Sequence, residues 1–262
     1  MSDSSYQTLK YEVEEHTAKI TLDRPPANLI DRDMTLEYHQ ALRTADADPE
    51  VRVIILTGNG KGLSGGVDLK YLEKFDSSEM KEFLRLFYVE TMSIVRGLSK
   101  PIIAAVHGYV REGACTLAFA CDMIIAADDA DFGYPGVPNL AAPPGMHVWI
   151  LQRLIGRMKA AELIFTGKSL GAAQAERMGL ITKVVGAGCL QYEAEKMAGK
   201  IAEMSPLALK RTRDLLYTME DMDFQQVPEA AVVALSSAFD SEDSQEARKA
   251  YIEKRKPVWT GR

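Results

Sequence analysis

Residues 100–122 read KPIIAAVHGYVREGACTLAFACD. The first half, PIIAAVHG (101–108), is a continuous apolar run, the pattern of a strand covered on both faces. The second half switches to small residues and then to a helical pattern from about Gly113. Working outward, the same succession recurs upstream. VRVIILTG (51–58) is a β-branched run, followed by the glycine-rich GNGKGLSGGVDL (58–69) and a helical region to about Leu98. MIIAAD (123–128) is a third such strand, followed by ADFGYPGVPN. Two alternating segments, 9–15 and 17–22, predict a strand pair, and Asp31 caps a predicted helix to about Ala45. A helix is expected from about Gly145 to Ile155 and a last strand at ITKVV (181–185). From 190 onward every segment reads as helix. The expectation is an α/β core over 1–190 and a helical C-terminal region over 191–262, with successive strand–turn–helix units stacked in layers.

The bulk composition narrows the function classes. The chain has 262 residues and a net charge of −6. That balance argues against a nucleic-acid surface, which carries a basic face. No run approaches the roughly 20 apolar residues of a membrane span, and the polar start MSDSSYQTLKYEVEE has no apolar signal core. A cytoplasmic protein with neither a nucleic-acid nor a membrane partner is expected. Cys115, Cys121 and Cys189 are an odd set without metal-type pairing, so a reducing compartment and no metal site are expected.

Both glycine turns lie between a buried strand and a helix. Such a position leaves backbone N–H groups without helical acceptors, and small residues let a ligand come close. Two turns side by side could point two amides at one oxygen, those of Val67 and Gly113, forming an oxyanion hole. Turns of this kind also occur merely to bend the chain. GNGKG lacks the GK[ST] ending of a phosphate loop.

The segments GLSGGVDLKYL (62–72) and KPIIAAVHGYVREGACTLAFACDMIIAADDADFGYP (100–135) closely resemble the crotonase (enoyl-CoA hydratase/isomerase) family. LDRPPAN (22–28), IFTGKSLGAAQAERMGLITKVV (164–185) and EKRKPVW (253–259) resemble it too, in collinear order. The resemblance implies a crotonase-like spiral of ββα units with a C-terminal helical trimerisation region. It implies an acyl-CoA substrate, coenzyme A entering as part of that substrate with no permanently bound cofactor, and a homotrimer or hexamer. By position the oxyanion amides are those of Val67 and Gly113. Gly65, Gly66, Asp68, Leu69 and Lys70 match the stretch that contacts CoA, Asp68 shaping the turn. Glu112 stands where the family usually has glycine.

Hydratases of this family carry two catalytic glutamates. One position is held here by Thr116. The other follows an FG-x-P segment, matched by Phe132-Gly133-Tyr134-Pro135, and is held by Gly136. Thr116 and Gly136 therefore line the substrate site without supplying acids. His147 and Tyr134 are the candidates for proton transfer, His147 because its ordinary pKa suits acid–base work near neutrality. Each has a plainer reading, as a packed or solvent-facing histidine and as a core aromatic. Glu112 is chargeable, but a residue on such a turn can point to water. Arg111 is a candidate contact for a phosphate or a substrate carboxylate, with a solvated arginine as the default reading, and His107, which ends a buried strand, is read as structural. The family activity is enoyl-CoA hydratase or isomerase with an atypical catalytic set. A CoA-thioester decarboxylase or hydrolase, and a non-catalytic acyl-CoA-binding protein, are the alternatives.

Overall fold

Three buried strands organise the molecule, and each has a different partner on each face. In the computed structural model, which describes residues 6–134 and 136–262, β3 (Val53–Gly58), β5 (Ile102–Val106) and β7 (Met123–Ala127) lie parallel and adjacent. They are extended on one side by β2 (Thr17–Leu22) and β1 (Leu9–Glu14), and on the other by β10 (Lys183–Val185). Only β1 and β2 pair antiparallel in this six-stranded sheet. Ile54, Leu56, Ile102, Ala104, Val106, Ile124 and Ala126 point into the main core. Val53, Ile55, Ile103, Ala105, Ile125 and Ala127 point the other way, where Leu190, Ala194, Ala198 and Ala202 cover them. Burial on both faces is why these strands read as unbroken apolar runs.

A second sheet was not expected. It has four strands in the order β4 (Gly62–Ser64), β6 (Tyr109–Arg111), β8 (Asp131–Gly133) and β9 (Leu170–Gly171). Strands of two or three residues are too short for a period-2 pattern to show. The chain passes from β3 to β4, from β5 to β6 and from β7 to β8. Each turn of the spiral thus contributes one strand to each sheet. The crossings are tight. At Gly108, with φ +51°, an added Cβ would lie 2.0 Å from the Lys61 carbonyl oxygen, so the backbones can meet only with hydrogen there.

The helices cover these layers. Asp31 caps α1 (Arg32–Ala47) by accepting from the Met34 amide at 3.0 Å. A short α2 (Leu69–Leu72), α3 (Ser77–Leu84), a π-helical stretch over 85–90 and α4 (Thr91–Gly97) follow β4. Then come α5 (Gly113–Ala120) after β6, α6 (His147–Ile155), α7 (Arg157–Thr166) and α8 (Ala172–Arg177). The stripe covering the large sheet belongs to α9 (Leu190–Ala202), where alanine every fourth residue lets the helix approach closely. The division expected at 190–191 falls at the start of this helix. The helical part beyond the core begins with α10 (Pro206–Glu220) and continues through α11 (Val227–Phe239) and α12 (Glu242–Glu253). No residue of α11 is buried, and Val232, Val233, Leu235 and Phe239 lie exposed along it. Among the described residues, no helix is long and apolar enough to cross a membrane.

Candidate active site

β4, β6 and β8 run parallel in the small sheet. Their C-terminal ends therefore open on one edge, the usual place for a ligand in parallel sheets. Three loops converge there: Gly65–Asp68 after β4, Glu112–Gly113 after β6, and Tyr134 and Gly136 after β8.

The first loop is laced to residues 27–30. The Gly65 amide donates to the Ala27 carbonyl (2.8 Å), Ile30 donates to Gly66 (2.9 Å) and Asp68 donates to Ile30 (2.8 Å). The Gly66 amide is taken by Ser64 Oγ (3.0 Å). This pattern uses every amide of the loop except that of Val67. Gly113 is the first residue of α5, so its amide has no helical acceptor. Among the described residues no hydrogen bond from either amide is found. A Cβ on Gly113 would lie 3.1 Å from Val67 Cγ2, so the two turns are neighbours.

Asp68 has a structural task. Its carboxylate caps α2 through the amides of Lys70 (3.1 Å) and Tyr71 (3.4 Å) and pairs with Arg24 Nη1 (3.0 Å). Burial pushes its pKa up, but Arg24 and the two amides outweigh that and hold it below the usual carboxylate range. Leu69 and Lys70 are exposed at the mouth of the loop. Arg111 donates to the Asp131 carbonyl (2.7 Å), pairs with the Asp131 carboxylate and lies over Tyr109, so it is partly buried and engaged within the small sheet. His107 bonds the Gly60 carbonyl (3.0 Å), which makes it structural.

The two residues expected to move protons lie inside the protein. His147 is fully buried, with Nε2 3.0 Å from Thr116 Oγ1 and 3.0 Å from the Glu112 carbonyl. A carbonyl only accepts, so Nε2 carries the hydrogen, and Nδ1 is left as a buried acceptor without a partner. Burial pushes the imidazole pKa down to about 4, against the opposing pull of the Glu112 carbonyl. A neutral ring with so low a pKa braces the Glu112 backbone and is a poor proton carrier near neutrality. Tyr134 is equally buried and packs edge-on against His147, ring centres 4.7 Å apart. Burial drives its hydroxyl far above its ordinary pKa. Pro135 of the FG-x-P segment lies outside the described residues.

Glu112 is the residue whose direction the sequence leaves open. It adopts φ +41°, ψ −105°, a conformation that side chains rarely take. Its carboxylate turns inward toward Gly136. Oε1 is buried, without a side-chain partner among the described residues, and a Cβ on Gly136 would lie 2.9 Å from it. Burial raises the Glu112 pKa, partly offset by a hydrogen bond from the Gly136 backbone. Tyr88 lies close enough that burial and the Glu112 charge together push its pKa up to about 12. Glutamate in place of the family's usual glycine is the one signal of this in the sequence.

A cavity of about 550 Å³ on the other side of the large sheet is lined by Glu12, Glu14, Glu15 and Glu195, among others. Its carboxylates would repel a polyphosphate, so it does not compete as a CoA site. Among the described residues no group of three or more His, Cys, Asp or Glu side chains could hold a metal ion.

The model of the family "Enoyl-CoA hydratase/isomerase" matches residues 12–262. The chain belongs to that family. The enoyl-CoA hydratase/isomerase fold, that of crotonase, also appears in solved structures. The crystal structure of "Enoyl-CoA Hydrates Subunit I" from Geobacillus kaustophilus HTA426 superposes with a TM-score of 0.92 at 33% identity, covering 99% of this chain and 100% of that one. The enoyl-CoA hydratase of Bacillus anthracis gives 0.93 at 30% identity, covering 98% and 100%. A probable enoyl-CoA hydratase of Mycobacterium tuberculosis is 36% identical over 98% of this chain and 100% of its own. The crotonyl-CoA hydratase of Syntrophomonas wolfei is 33% identical over 96% and 97%. The ββα spiral expected from the sequence is therefore the family architecture.

Proposed function

We propose that this enoyl-CoA hydratase/isomerase family protein binds an acyl-CoA thioester with its carbonyl oxygen between the amides of Val67 and Gly113, and stabilises the enolate formed beside that carbonyl. One observation carries the reading: two neighbouring turns, each with an N–H that has no acceptor among the described residues, stand where three strand ends converge. Preorganised donors aimed at a developing oxyanion contribute about 3 kcal/mol each. Gly65 and Gly66 let this loop pack against Leu29 and the Arg111 carbonyl, where a Cβ would stand 3.1 Å and 3.0 Å away, and the exposed Leu69 and Lys70 are placed to meet the CoA moiety. No metal or bound cofactor is required for this chemistry. Binding of butyryl-CoA carrying a ¹³C-labelled thioester carbonyl tests it. The carbonyl stretch is expected to fall in frequency on binding, as two hydrogen bonds lengthen the C=O bond. A bound thioester with its free-solution frequency would overturn the assignment.

The family resemblance also assigns the exposed apolar faces of α11 and α12 to a subunit interface, giving a homotrimer or a hexamer. An unpartnered apolar stripe of this length normally buries itself somewhere. Light scattering at micromolar concentration is expected to give the mass of three or six chains, and a stable single-chain mass would overturn this assembly.

A further inference from the structure

We propose that the Glu112 carboxylate moves the proton at the carbon beside the thioester carbonyl, supplied from the turn before α5 in place of the two positions now held by Thr116 and Gly136. This rests on the oxyanion reading of Val67 and Gly113.

Four observations converge on Glu112. The first is its backbone. A non-glycine residue at φ +41°, ψ −105° is strained and persists only when its surroundings enforce it, most often at working sites. Here they do. The Glu112 amide donates to the Gly133 carbonyl (3.0 Å), and the Glu112 carbonyl accepts from the Thr116 amide (3.1 Å) and from His147 Nε2 (3.0 Å). Thr116 and His147 thus hold the turn that aims the carboxylate.

The second is the buried oxygen. Oε1 is out of solvent and, among the described residues, no cation and no side chain pairs with it, an expense that a purely structural glutamate would avoid. The third is steric exclusion. A side chain on Gly136 would begin 2.9 Å from Oε1. A glutamate at 136 and one at 112 would claim the same space, so the bare Gly136 is what admits the Glu112 carboxylate. The fourth is placement. Glu112 is bonded to Gly113, and its Cβ lies 3.4 Å from where a Cβ on Gly66 would stand. The carboxylate therefore springs from between the two oxyanion turns.

The step balances without a co-reactant. Glu112 Oε1 takes the proton from the α-carbon. The C–H electron pair becomes the C=C bond of the enolate, and the carbonyl π pair moves onto the oxygen held by Val67 and Gly113. Return of the proton reverses every change. In D₂O the returned proton is a deuteron.

The test is α-hydrogen exchange of butyryl-CoA in D₂O, followed by mass spectrometry, with binding measured separately by calorimetry. The wild type is expected to bind and to exchange, with a rate that rises with pH through a range above that of an ordinary glutamate, because burial raises the carboxyl pKa. Glu112→Gln is expected to bind within about threefold of wild type, to lose exchange at least a hundredfold and to lose the pH dependence. It is also expected to be more stable at pH 8. A carboxyl whose folded pKa lies above its unfolded one loses stability as pH rises through the folded value, and the amide removes that loss. The double variant Glu112→Gly, Gly136→Glu restores glycine to the strained turn and frees the space at 136. It is expected to exchange at least tenfold faster than Glu112→Gln. Undiminished exchange in Glu112→Gln overturns the proposal, as does a wild type that binds butyryl-CoA with a shifted carbonyl stretch yet exchanges nothing. Failure of the wild type to bind at all overturns the oxyanion reading first, and this one with it.

Discussion

Hydration of crotonyl-CoA is expected to be at least a hundredfold slower than with the Syntrophomonas wolfei crotonyl-CoA hydratase assayed alongside. Adding water across a double bond needs a group to deprotonate the water and a group to protonate carbon. In the family pattern two glutamates share these tasks. Here Thr116 holds one position and is committed to the Glu112–His147 brace, its hydroxyl 3.0 Å from His147 Nε2. Gly136 holds the other and has no side chain. His147 cannot compensate, because burial has pushed its pKa down to about 4. Of the carboxylates on the Val67 and Gly113 turns, that of Asp68 is tied to Arg24 and the α2 amides, which leaves that of Glu112. Loss of a general acid or base costs roughly 10²–10⁴ in rate, so a hundredfold is the lower bound. The check is the fall in enoyl-thioester absorbance at matched enzyme and substrate concentrations. Rates within tenfold of each other would refute the expectation and point to a water held by some other arrangement.

The second large effect concerns stability. Arg213→Met is expected to lower unfolding free energy by about 3–5 kcal/mol, the usual result of removing one partner of a buried ion pair. Arg213 lies on α10 with its side chain 3% exposed. Its Nε donates to Asp122 Oδ2 (2.9 Å), and its two Nη atoms reach the carbonyls of Val95 (2.6 Å) and Leu98 (2.7 Å) at the end of α4. One planar guanidinium thus binds two carbonyls at the end of α4, that of Val95 being shared with the Leu98 amide (3.3 Å), and neutralises a largely buried carboxylate. Asp122 is anchored in turn by the Tyr217 hydroxyl (2.7 Å) and the Ile102 amide (2.8 Å). Methionine keeps much of the length and apolar stem but leaves Asp122 without its cation. Arg213→Lys is expected to recover only part, since an ammonium cannot reproduce the fork. Urea denaturation at fixed protein concentration decides it, because assembly would make stability concentration-dependent. A loss below about 1 kcal/mol would show that the network contributes little.

Much of this molecule is legible in its sequence alone. The β-branched and apolar runs at 51–58, 101–108 and 123–128 are strands because a segment buried on both faces has no place for a polar residue, and that leaves a mark on every position. The collinear glycine turns and flanking segments point to the family, and the departures at Thr116 and Gly136 are visible as residue identities. Tertiary structure decided what such marks cannot carry. The small sheet is built from strands of two or three residues, too short for any period to show. α9 joined the core because its Leu190–Ala194–Ala198–Ala202 stripe meets the far face of the large sheet, a contact between segments far apart in the chain. His147 and Tyr134 have side chains suited to proton transfer, yet packing buried both. Most of all, the direction of the Glu112 side chain depends on the sign of one φ angle. That sign is enforced by Gly133, Thr116 and His147 and accommodated by the empty space over Gly136. A sequence states that a carboxylate is present. Only the backbone around it decides whether it faces water or the substrate.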